Sequence, residues 1–485
     1  MIVVWQVADK CRATPAAIES RAGFASQPDG GTALPDATRE LLADAASRGA
    51  AYLESLDARP VFPREADIER LRGALQGDLP AGPTPDADVL AFLDAYGTPA
   101  TVASAGGRYF GFVTGGALPA SLAAHQLASA WDQNAISVVS SPVAALVDEA
   151  AFRWLTDLFG LPPGSLGAFV PGATAASFTG LAAARHHVLA RSGWDVEQQG
   201  LRGSPEVTVI VGDEAHGSII RALSLLGFGR GRFVCVPVDE QGRMRADRLP
   251  QVSGPTIVCI QAGNVNSGSL DPAREIIARA HAGGAWVHVD GAFGLWAAAS
   301  DRRRHLMDGF AEADSWATDA HKWLNVPYDC GIALVREPDA LRAAMSIHGD
   351  YLLLGMGTDA IDITLDGSRR ARGIDVWAAL KSLGRRGLAD LVDRHCDQAA
   401  WLGSQLAAAG LEVLNEVVLN QIVVAFGDDA KTKRAVAALQ QSGECWCGGT
   451  RWRGREAMRI SISGWATSQA DMERTVAAIR AAAKA

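Results

Sequence analysis

The chain has 485 residues, of which 48% are hydrophobic and 20% are charged, and its formal net charge is −9. This length leaves room for roughly two or three domains with a large core, whereas the negative charge argues against nucleic acid as a partner. The seven cysteines show no disulfide framework. No apolar run reaches the roughly 18–20 residues of a membrane span. We therefore expect a cytoplasmic protein with no membrane segment and no metal site.

Helical spacing of apolar residues follows a mixed N-terminal segment. Residues 1–35 are mixed in composition and predict a poorly ordered N-terminal segment. From Ala37 to Gly73 apolar residues recur at helical intervals, and a linker that contains Pro and Gly follows at 79–88. A second long helical pattern covers 143–159. We expect residues 1–105 to form an N-terminal extension and helical segment.

Strands and helices alternate from about residue 165 to residue 335. Uninterrupted apolar runs are typical of strands that are covered on both faces, and they predict a mostly parallel sheet with flanking helices. After Arg372 come helical stretches, two β-like runs and a terminal helix, which predict a smaller α+β unit. We expect a large domain over 106–370 and a small C-terminal domain over 371–485. The predicted strands of the large domain are 207–211, 233–238, 256–260, 285–289 and 331–335.

Two polar clusters lie beside this strand pattern. The small-residue turn at 171–174 opens a helix, and the N–H groups at a helix start can bind an anion, to which the Thr174 hydroxyl can also donate. Alternatively, Thr174 only caps this helix. His216 follows a strand that ends at Gly212, the position where open α/β sheets bind ligands. Its ring could therefore stack on a flat heteroaromatic group, or it could make a surface hydrogen bond.

Two further clusters carry charge. Asp290 ends a buried apolar strand with no Lys or Arg beside it in sequence, so its carboxylate either faces a protonated ring nitrogen or caps the next loop. In the hexapeptide DAHKWL, Lys322 either packs its stem on Trp323 or acts as an amine nucleophile that forms a Schiff base. Together the four clusters supply the anion cradle, ring stacker, carboxylate and lysine that pyridoxal phosphate requires. This joint interpretation outweighs four separate structural ones.

From about residue 37 to residue 485, the chain resembles the group II pyridoxal-phosphate-dependent amino acid decarboxylases, which include the aromatic-L-amino-acid and glutamate decarboxylases. The four clusters match in order and spacing, as do the segments RYFGFVTGG, SPVAALVDEAAFRWL and RRARGIDVWAALKSLGRRGL. The resemblance implies an α/β fold of fold type I (aspartate aminotransferase-like) with pyridoxal 5'-phosphate as the cofactor. It also implies a small L-amino acid substrate and a homodimer with shared active sites.

The resemblance implies roles for individual residues as well. Lys322 would hold the cofactor's aldehyde, Asp290 would face its ring nitrogen, and His216 would stack on its ring as a catalytic residue. The other expected cofactor contacts are Ala173, Thr174 and His321 at the phosphate, Ala292 beside the ring and Asn264 near the phenolic oxygen.

The chain departs from the family in two places. Ala175 stands where the family commonly carries Glu, and Ala360 takes the place of a loop tyrosine that protonates the substrate carbanion after CO2 leaves. Tyr351 is therefore the predicted catalytic proton donor, with His348 or a changed reaction as the alternatives. The segment 349–367 resembles the family's intersubunit loop.

The resemblance thus predicts decarboxylation of an L-amino acid to the amine. Phe110 and Phe112 would suit an aromatic or apolar substrate, although each could equally belong to the core. Arg459 either pairs with a carboxylate or supports the C-terminal sheet. The rival predictions are an aminotransferase or an aldehyde-forming decarboxylase on the same fold, and a non-catalytic scaffold that keeps the fold.

Overall fold

The computed structural model describes residues 35–346 and 359–484. Most of the N-terminal segment 1–35, together with His348 and Tyr351, lies outside these residues. Contacts divide the chain into residues 1–48 and 49–485, and the described part of the first unit contains the opening of helix α1 (Asp36–Glu54). Among the described helices, none combines the length and the apolar character that crossing a membrane requires.

Capping residues set the bounds of several helices. After α1, the described helices are α2 (Glu65–Ala74), α3 (Asp86–Phe92), α4 (Pro119–Trp131), α5 (Pro142–Phe159), α6 (Ala173–Ala190), α7 (Val196–Gln199), α8 (Gly217–Leu225), α9 (Ala273–Ala282), α10 (Pro338–Met345), α11 (Arg372–Ala408), α12 (Asp429–Ser442) and α13 (Gln469–Ala482). Ser141 accepts a hydrogen bond from Ala144 N–H at the start of α5, and Gly160 ends that helix in the left-handed conformation. The long helix α11 is kinked at Gly384, whose φ is 61°.

A seven-stranded sheet is built within the part of the chain that the structure describes. Its strands are β1 (Leu166–Val170), β2 (Thr208–Gly212), β3 (Val234–Val236), β4 (Thr256–Gln261), β5 (Trp286–Asp290), β6 (Ser315–Asp319) and β7 (Gly331–Val335). The strand order is β1-β7-β6-β5-β4-β2-β3, with parallel pairing from β3 to β6 and with β7 antiparallel to both of its neighbours. The predicted α/β fold with a mostly parallel sheet is confirmed. The sequence patterns do not indicate β1 and β6.

The carboxyl ends of β4, β5 and β6 meet at one edge of this sheet. Asp290 pairs with Ala317, so the two residues share a sheet face. Asp319 lies two residues beyond Ala317 and therefore projects to the same face. Helix α6 covers that face, because a Cβ on its Gly180 would lie 3.2 Å from the Cβ of Ser315.

A second sheet, four-stranded and antiparallel, lies in the C-terminal part of the described chain. Its strands are β8 (Glu412–Val413), β9 (Gln421–Ala425), β10 (Gly448–Trp452) and β11 (Arg455–Ser461), in the order β10-β11-β9-β8. Residues of α11, α12 and α13 pack on this sheet and form a core that also includes Phe110. The small α+β unit is therefore present, while domain boundaries after residues 105 and 370 stay predictions.

Candidate active site

Lys322 lies in the turn between β6 and β7, at the sheet edge where Asp290 ends β5. Its amine lies 2.8 Å from Asp319 Oδ2, and its side chain is 20% exposed. The neighbouring Trp323 is completely buried. The amine is therefore held by a carboxylate inside the protein. It does not extend into bulk water, as it would if Lys322 only packed its stem on Trp323.

Asp319 links this lysine to the start of helix α6. Its Oδ1 accepts a hydrogen bond from Ala173 N–H at 2.5 Å and lies 3.6 Å from His321 Nε2. Sequence patterns do not indicate Asp319, because the segment SWATD contains polar residues although it forms a strand whose five residues are all buried. A signal was available, since Asp319 closes its strand just as Asp290 closes β5.

The start of α6 is formed by small residues. Gly172 precedes the helix without a side-chain cap, and a Cβ on Gly172 would lie 3.4 Å from His321 Cε1 and 3.5 Å from Asp319 Oδ1. Thr174 is the second helical residue, so it is not the cap that the structural alternative expected. The first backbone N–H groups of α6 thus lie beside His321, as an anion site requires.

Asp290 and His216 lie close enough to Lys322 for their charges to interact. Asp290 is 5% exposed, and its Oδ1 accepts a hydrogen bond from Ala292 N–H at 3.2 Å. Burial raises the pKa of Asp290, while the charges of His216 and Lys322 act to lower it. Burial lowers the pKa of His216, with Asp290 acting to raise it. A buried carboxylate in this setting suits a cation that a ligand supplies.

His216 caps helix α8 and has a fixed ring orientation. Its Nδ1 accepts a hydrogen bond from Ser218 N–H at 3.2 Å and lies 2.7 Å from Ser218 Oγ. In the neutral ring this leaves the proton on Nε2. These bonds agree with the interpretation that His216 makes a local hydrogen bond. They also hold its ring in one orientation. Stacking on a cofactor ring stays a prediction.

His321 contributes a second neutral imidazole. Its Nδ1 accepts a hydrogen bond from Cys330 N–H at 3.1 Å, which leaves Nε2 to carry the proton. Burial lowers the pKa of His321, against the opposing effect of Asp319. The ring stacks on Tyr328, with the two centroids 4.3 Å apart and the planes inclined by 30°. His321 therefore offers one N–H donor beside the start of α6.

An aromatic cluster is formed by the segment that precedes helix α4. Trp446 stacks on Tyr109 at 5.2 Å and on Phe112 at 5.4 Å. Gly111 permits this packing, because a Cβ there would lie 2.2 Å from the Trp446 ring. Phe112 is 64% exposed, whereas Phe110 is 1% exposed and packs in the C-terminal core. Phe110 therefore belongs to the core, which was one of its two interpretations. A substrate contact by Phe112 stays a prediction.

Arg459 on β11 brings a positive charge to the same region. Its Nη1 donates a hydrogen bond to Val265 O at 3.4 Å, and no ion pair of the described residues includes its guanidinium. Burial lowers the pKa of Arg459, whereas Tyr109 acts to raise it. The charge of Arg459 also acts to lower the pKa of His216, so the two side chains are near one another. An arginine in this setting suits the carboxylate of a ligand.

The loop after β4 places Asn264 differently from the expected cofactor contact. Its Oδ1 accepts hydrogen bonds from Asn266 N–H at 2.9 Å and Ser267 N–H at 3.2 Å, within its own turn. Its Nδ2 is buried and has no hydrogen-bond partner in the described part of the chain. Gln261, which no sequence pattern indicates, pairs with Asp290 and shares its sheet face. Gln261 is thus the polar residue that the sheet places beside Asp290.

The side chains at this sheet edge fit pyridoxal phosphate by their chemistry. The start of α6 and the His321 N–H suit a phosphate, the buried Asp290 suits a protonated ring nitrogen, and Lys322 suits an aldehyde. Asp319 is the exception, because its carboxylate already accepts the N–H of Ala173. The roles of these individual residues stay predictions.

Comparison with known proteins identifies the family. The family described as "Pyridoxal-dependent decarboxylase conserved domain" matches residues 104–426. The chain is 29% identical over 313 residues to acidic amino acid decarboxylase GADL1 of Bos taurus, which covers 62% of this chain and 59% of that protein. It is 28% identical over 363 residues to tryptophan decarboxylase 1 of Oryza sativa subsp. japonica, which covers 69% of each chain. A crystal structure of Oryza sativa TDC with PLP and tryptamine matches with a TM-score of 0.86 and 22% identity, over 95% of this chain and 99% of that chain.

These matches agree with the geometry at the sheet edge. The alignment with GADL1 spans less than two thirds of that protein, whereas the family match covers most of this chain. The solved structure shares the fold. The predictions of the family, of the fold class and of pyridoxal phosphate as the family's cofactor are confirmed. The chain belongs to the family of pyridoxal-dependent decarboxylases.

Proposed function

We propose that this chain removes the α-carboxylate of an L-amino acid and releases CO2 and the amine. The observation that carries the proposal is that Asp290 ends β5, Lys322 follows β6 and His216 follows β2, so that all three lie at one edge of the parallel sheet. An amine, a buried carboxylate and an oriented imidazole are the groups that pyridoxal chemistry draws from a protein. Membership of the decarboxylase family supports the same conclusion.

Each residue of the site has a task in this reaction. Bound pyridoxal phosphate supplies a carbonyl for amines and an electron sink for the pair left behind by CO2. Lys322 would hold the cofactor, and Asp319 holds the free amine of this lysine from 2.8 Å. Asp290 would keep the ring nitrogen protonated, because a nearby carboxylate favours a charged cation. His216, which Ser218 orients, would lie against the ring.

The phosphate would be held by uncharged N–H and O–H donors of the backbone and side chains. Gly172, which precedes α6, lies beside His321, whose Nε2 carries the proton. The first N–H groups of α6, the Thr174 hydroxyl and this Nε2–H would be the donors. Helix starts favour anions through the helix dipole and through N–H groups that lack helical partners. The phosphate would thus fix the cofactor at the opposite end from Asp290.

The substrate would be oriented by Arg459 and by the aromatic cluster of Tyr109, Phe112 and Trp446. Arg459 suits the carboxylate of the substrate, and the exposed ring of Phe112 suits an aromatic or apolar side chain. Of the two relatives named above, one is named for acidic amino acids and the other for tryptophan. The aromatic cluster supports an aromatic substrate for this chain.

A homodimer with shared active sites is part of the proposal. Helices α4 and α5 carry large apolar side chains that are exposed, namely Leu127 (52%), Trp131 (41%) and Leu146 (63%), and such groups suit burial against a second copy. Mixing a Lys322→Ala chain with a chain that lacks 349–367 should restore partial activity in the heterodimer. A monomer with full activity in analytical ultracentrifugation would contradict this arrangement.

A panel of L-amino acids tests the reaction. Each is incubated with the protein and pyridoxal phosphate, and CO2, amine, aldehyde and keto acid are measured, with Lys322→Ala as the control. We expect CO2 and amine in equal amounts from an aromatic L-amino acid. Because Ala360 replaces the loop tyrosine, an aldehyde-forming decarboxylase is the second candidate, and an excess of aldehyde over amine would identify it. A keto acid without CO2 would identify an aminotransferase, and absence of all products would favour a scaffold.

A further inference from the structure

Loss of CO2 leaves an electron pair on the substrate that must take up a proton, and a phenol is one group able to deliver it. The chain has five tyrosines. Tyr52 and Tyr96 lie in the N-terminal helical segment, and Tyr351 lies outside the described residues. The remaining two, Tyr109 and Tyr328, both lie at the candidate active site.

Tyr109 is poorly suited to release a proton. Its side chain is 8% exposed and stacks on Trp446, with planes inclined by only 16°. Burial raises the pKa of Tyr109 to about 12, with Tyr328 adding to the effect and Arg459 opposing it. Its phenol therefore retains its proton more strongly than a free tyrosine does. Tyr328 and Arg459 both lie near enough for their charges to act on this phenol.

Tyr328 has a fixed ring and an accessible hydroxyl. The ring stacks on His321, the residue before Lys322, and the residue is 58% exposed. Its Oη lies 3.3 Å from Thr114 Oγ1. The residue after Thr114 is Gly115, and a Cβ on this glycine would lie 2.6 Å from the carbonyl oxygen of Lys322. The Tyr328 hydroxyl therefore lies against Thr114, in a segment that packs directly against the lysine turn.

We propose that Tyr328 donates the proton that replaces CO2 on the α-carbon of the substrate. The inference rests on the proposed decarboxylation, which creates the need for a donor. The bond from the α-carbon to the carboxylate breaks, CO2 departs, and the electron pair left behind forms a bond with the phenolic proton. Water then returns a proton to the phenolate, which the exposure of Tyr328 permits. The sequence of steps is redox-neutral and consumes one proton.

Tyr328→Phe tests the assignment, because it keeps the stacking ring and removes the hydroxyl. We expect amine formation to fall by roughly 10²–10⁴-fold, the range of a positioned general acid. The amount of amine per CO2 should fall and aldehyde should rise, and a visible absorbance band should persist after substrate is added. Titration of the apo-protein with pyridoxal phosphate should give an affinity within about twofold of wild type, as expected if Tyr328 serves the proton transfer alone.

Matched variants separate this role from others. Tyr96→Phe makes the same change in the N-terminal helical segment, where the ring lies against Phe92 and Arg70, and it should behave like wild type. Thr114→Val removes the partner of the phenol and should lower amine formation by a smaller factor, which provides a test if Tyr328→Phe folds poorly. Tyr351→Phe tests the alternative donor that the sequence predicts, and the variant that loses amine formation identifies which tyrosine supplies the proton.

Three results would overturn the proposal. One is a Tyr328→Phe protein that forms amine at the wild-type rate and ratio. Another is a variant in which only KM rises, which would make Tyr328 a substrate contact. The third is a loss of amine formation confined to Tyr351→Phe. If wild type releases no CO2 from any amino acid, the proposed function itself fails, and that result is distinct from the other three.

Discussion

Asp319 holds both Lys322 and the start of helix α6. Its two carboxylate oxygens lie 2.8 Å from Lys322 Nζ and 2.5 Å from the backbone nitrogen of Ala173. One negative charge therefore stands between the lysine and the backbone donors that are expected to bind phosphate. A like charge opposes anion binding, and two unit charges about 4 Å apart in water interact by about 1 kcal/mol.

Asp319→Asn should therefore strengthen phosphate binding by the apo-protein. The amide oxygen still accepts the Ala173 N–H, while the negative charge is removed. We expect inorganic phosphate to bind about fivefold more tightly, which corresponds to about 1 kcal/mol. Isothermal titration calorimetry measures this affinity, with Asp339→Asn at a completely exposed position of α10 as the charge-matched control. Weaker or unchanged binding would mean that Asp319 does not face the anion.

Lys322→Ala should abolish covalent attachment of pyridoxal phosphate, because it removes the amine that reacts with the aldehyde. The loaded wild type should be yellow, and borohydride reduction should fix the cofactor on the peptide that contains Lys322. Mass spectrometry of the digested protein locates the label. Lys381→Ala, at an exposed position of α11, should label like wild type. A label on any other peptide would contradict the assignment.

Asp290→Asn should bind the cofactor but lose most of its activity. The amide has the shape of the carboxylate, but it lacks the charge that stabilises a protonated ring nitrogen. Removing a buried charge partner costs about 3–5 kcal/mol, so turnover should fall by at least about a hundredfold. Steady-state kinetics with saturating cofactor measure the loss. A variant that turns over within a few-fold of wild type would make Asp290 a structural residue.

His395→Gln should make stability less sensitive to acid. His395 accepts a hydrogen bond from Trp323 Nε1 at 2.9 Å and donates one from Nε2 to Gly464 O at 3.0 Å. Burial lowers the pKa of His395 to about 3. Between that value and about 6.5 the unfolded chain binds a proton that the native state does not, so the stability contributed above pH 6.5 is lost as the pH falls.

Urea unfolding at two pH values measures this effect. A glutamine can keep both hydrogen bonds without titrating, so between pH 6.5 and pH 5 the wild type should lose about 2 kcal/mol more than the variant. His305→Gln, at an exposed position, should not change the pH dependence. Equal losses in wild type and His395→Gln would contradict the expectation.

Asn325 should be needed for the shape of the lysine turn. Its amide donates to Trp323 O at 2.7 Å and Ser463 O at 3.0 Å and accepts from Trp465 N–H at 2.7 Å, and its φ is 59°. Asn325→Gly loses these buried bonds, at about 1–3 kcal/mol for each group left without a partner. Asn325→Ala should lose about 1 kcal/mol more, because alanine is strained in the left-handed region. Urea unfolding compares the two variants, and a glycine variant as stable as wild type would contradict this role.

The parts of the fold that follow from local patterns could be predicted from the sequence. Apolar runs predicted strands at the positions of β2, β3, β4, β5 and β7, and the polar or charged residues that follow several of them indicated where a site would lie. Strand β6 could not be predicted in this way, because it contains polar residues such as Ser315. The buried hydroxyl of Ser315 has hydrogen-bond partners in Trp286 Nε1 and His288 Nδ1, at 2.9 Å and 2.8 Å. These partners come from the neighbouring strand, and no local pattern reveals them.

The surroundings of the site depend on contacts that are distant in sequence. Asn325 resembles an ordinary turn residue, yet its partners Ser463 and Trp465 lie 138 and 140 residues away. Tyr328 likewise meets Thr114 across 214 residues. The roles predicted for Lys322 and Asp290 rest on residue types and spacing, which the sequence alone supplies. The groups that orient them required the folded chain.

The kinked helix α11 holds both sides of the lysine turn. Near its start, Arg372 Nε donates to Asp329 Oδ1 at 3.1 Å, and beyond the kink His395 accepts from Trp323. A local opening of residues 320–331 must therefore break bonds to both halves of this helix. The turn and the helix should form one cooperative unit, whose amide hydrogens exchange with solvent at a common free energy of opening.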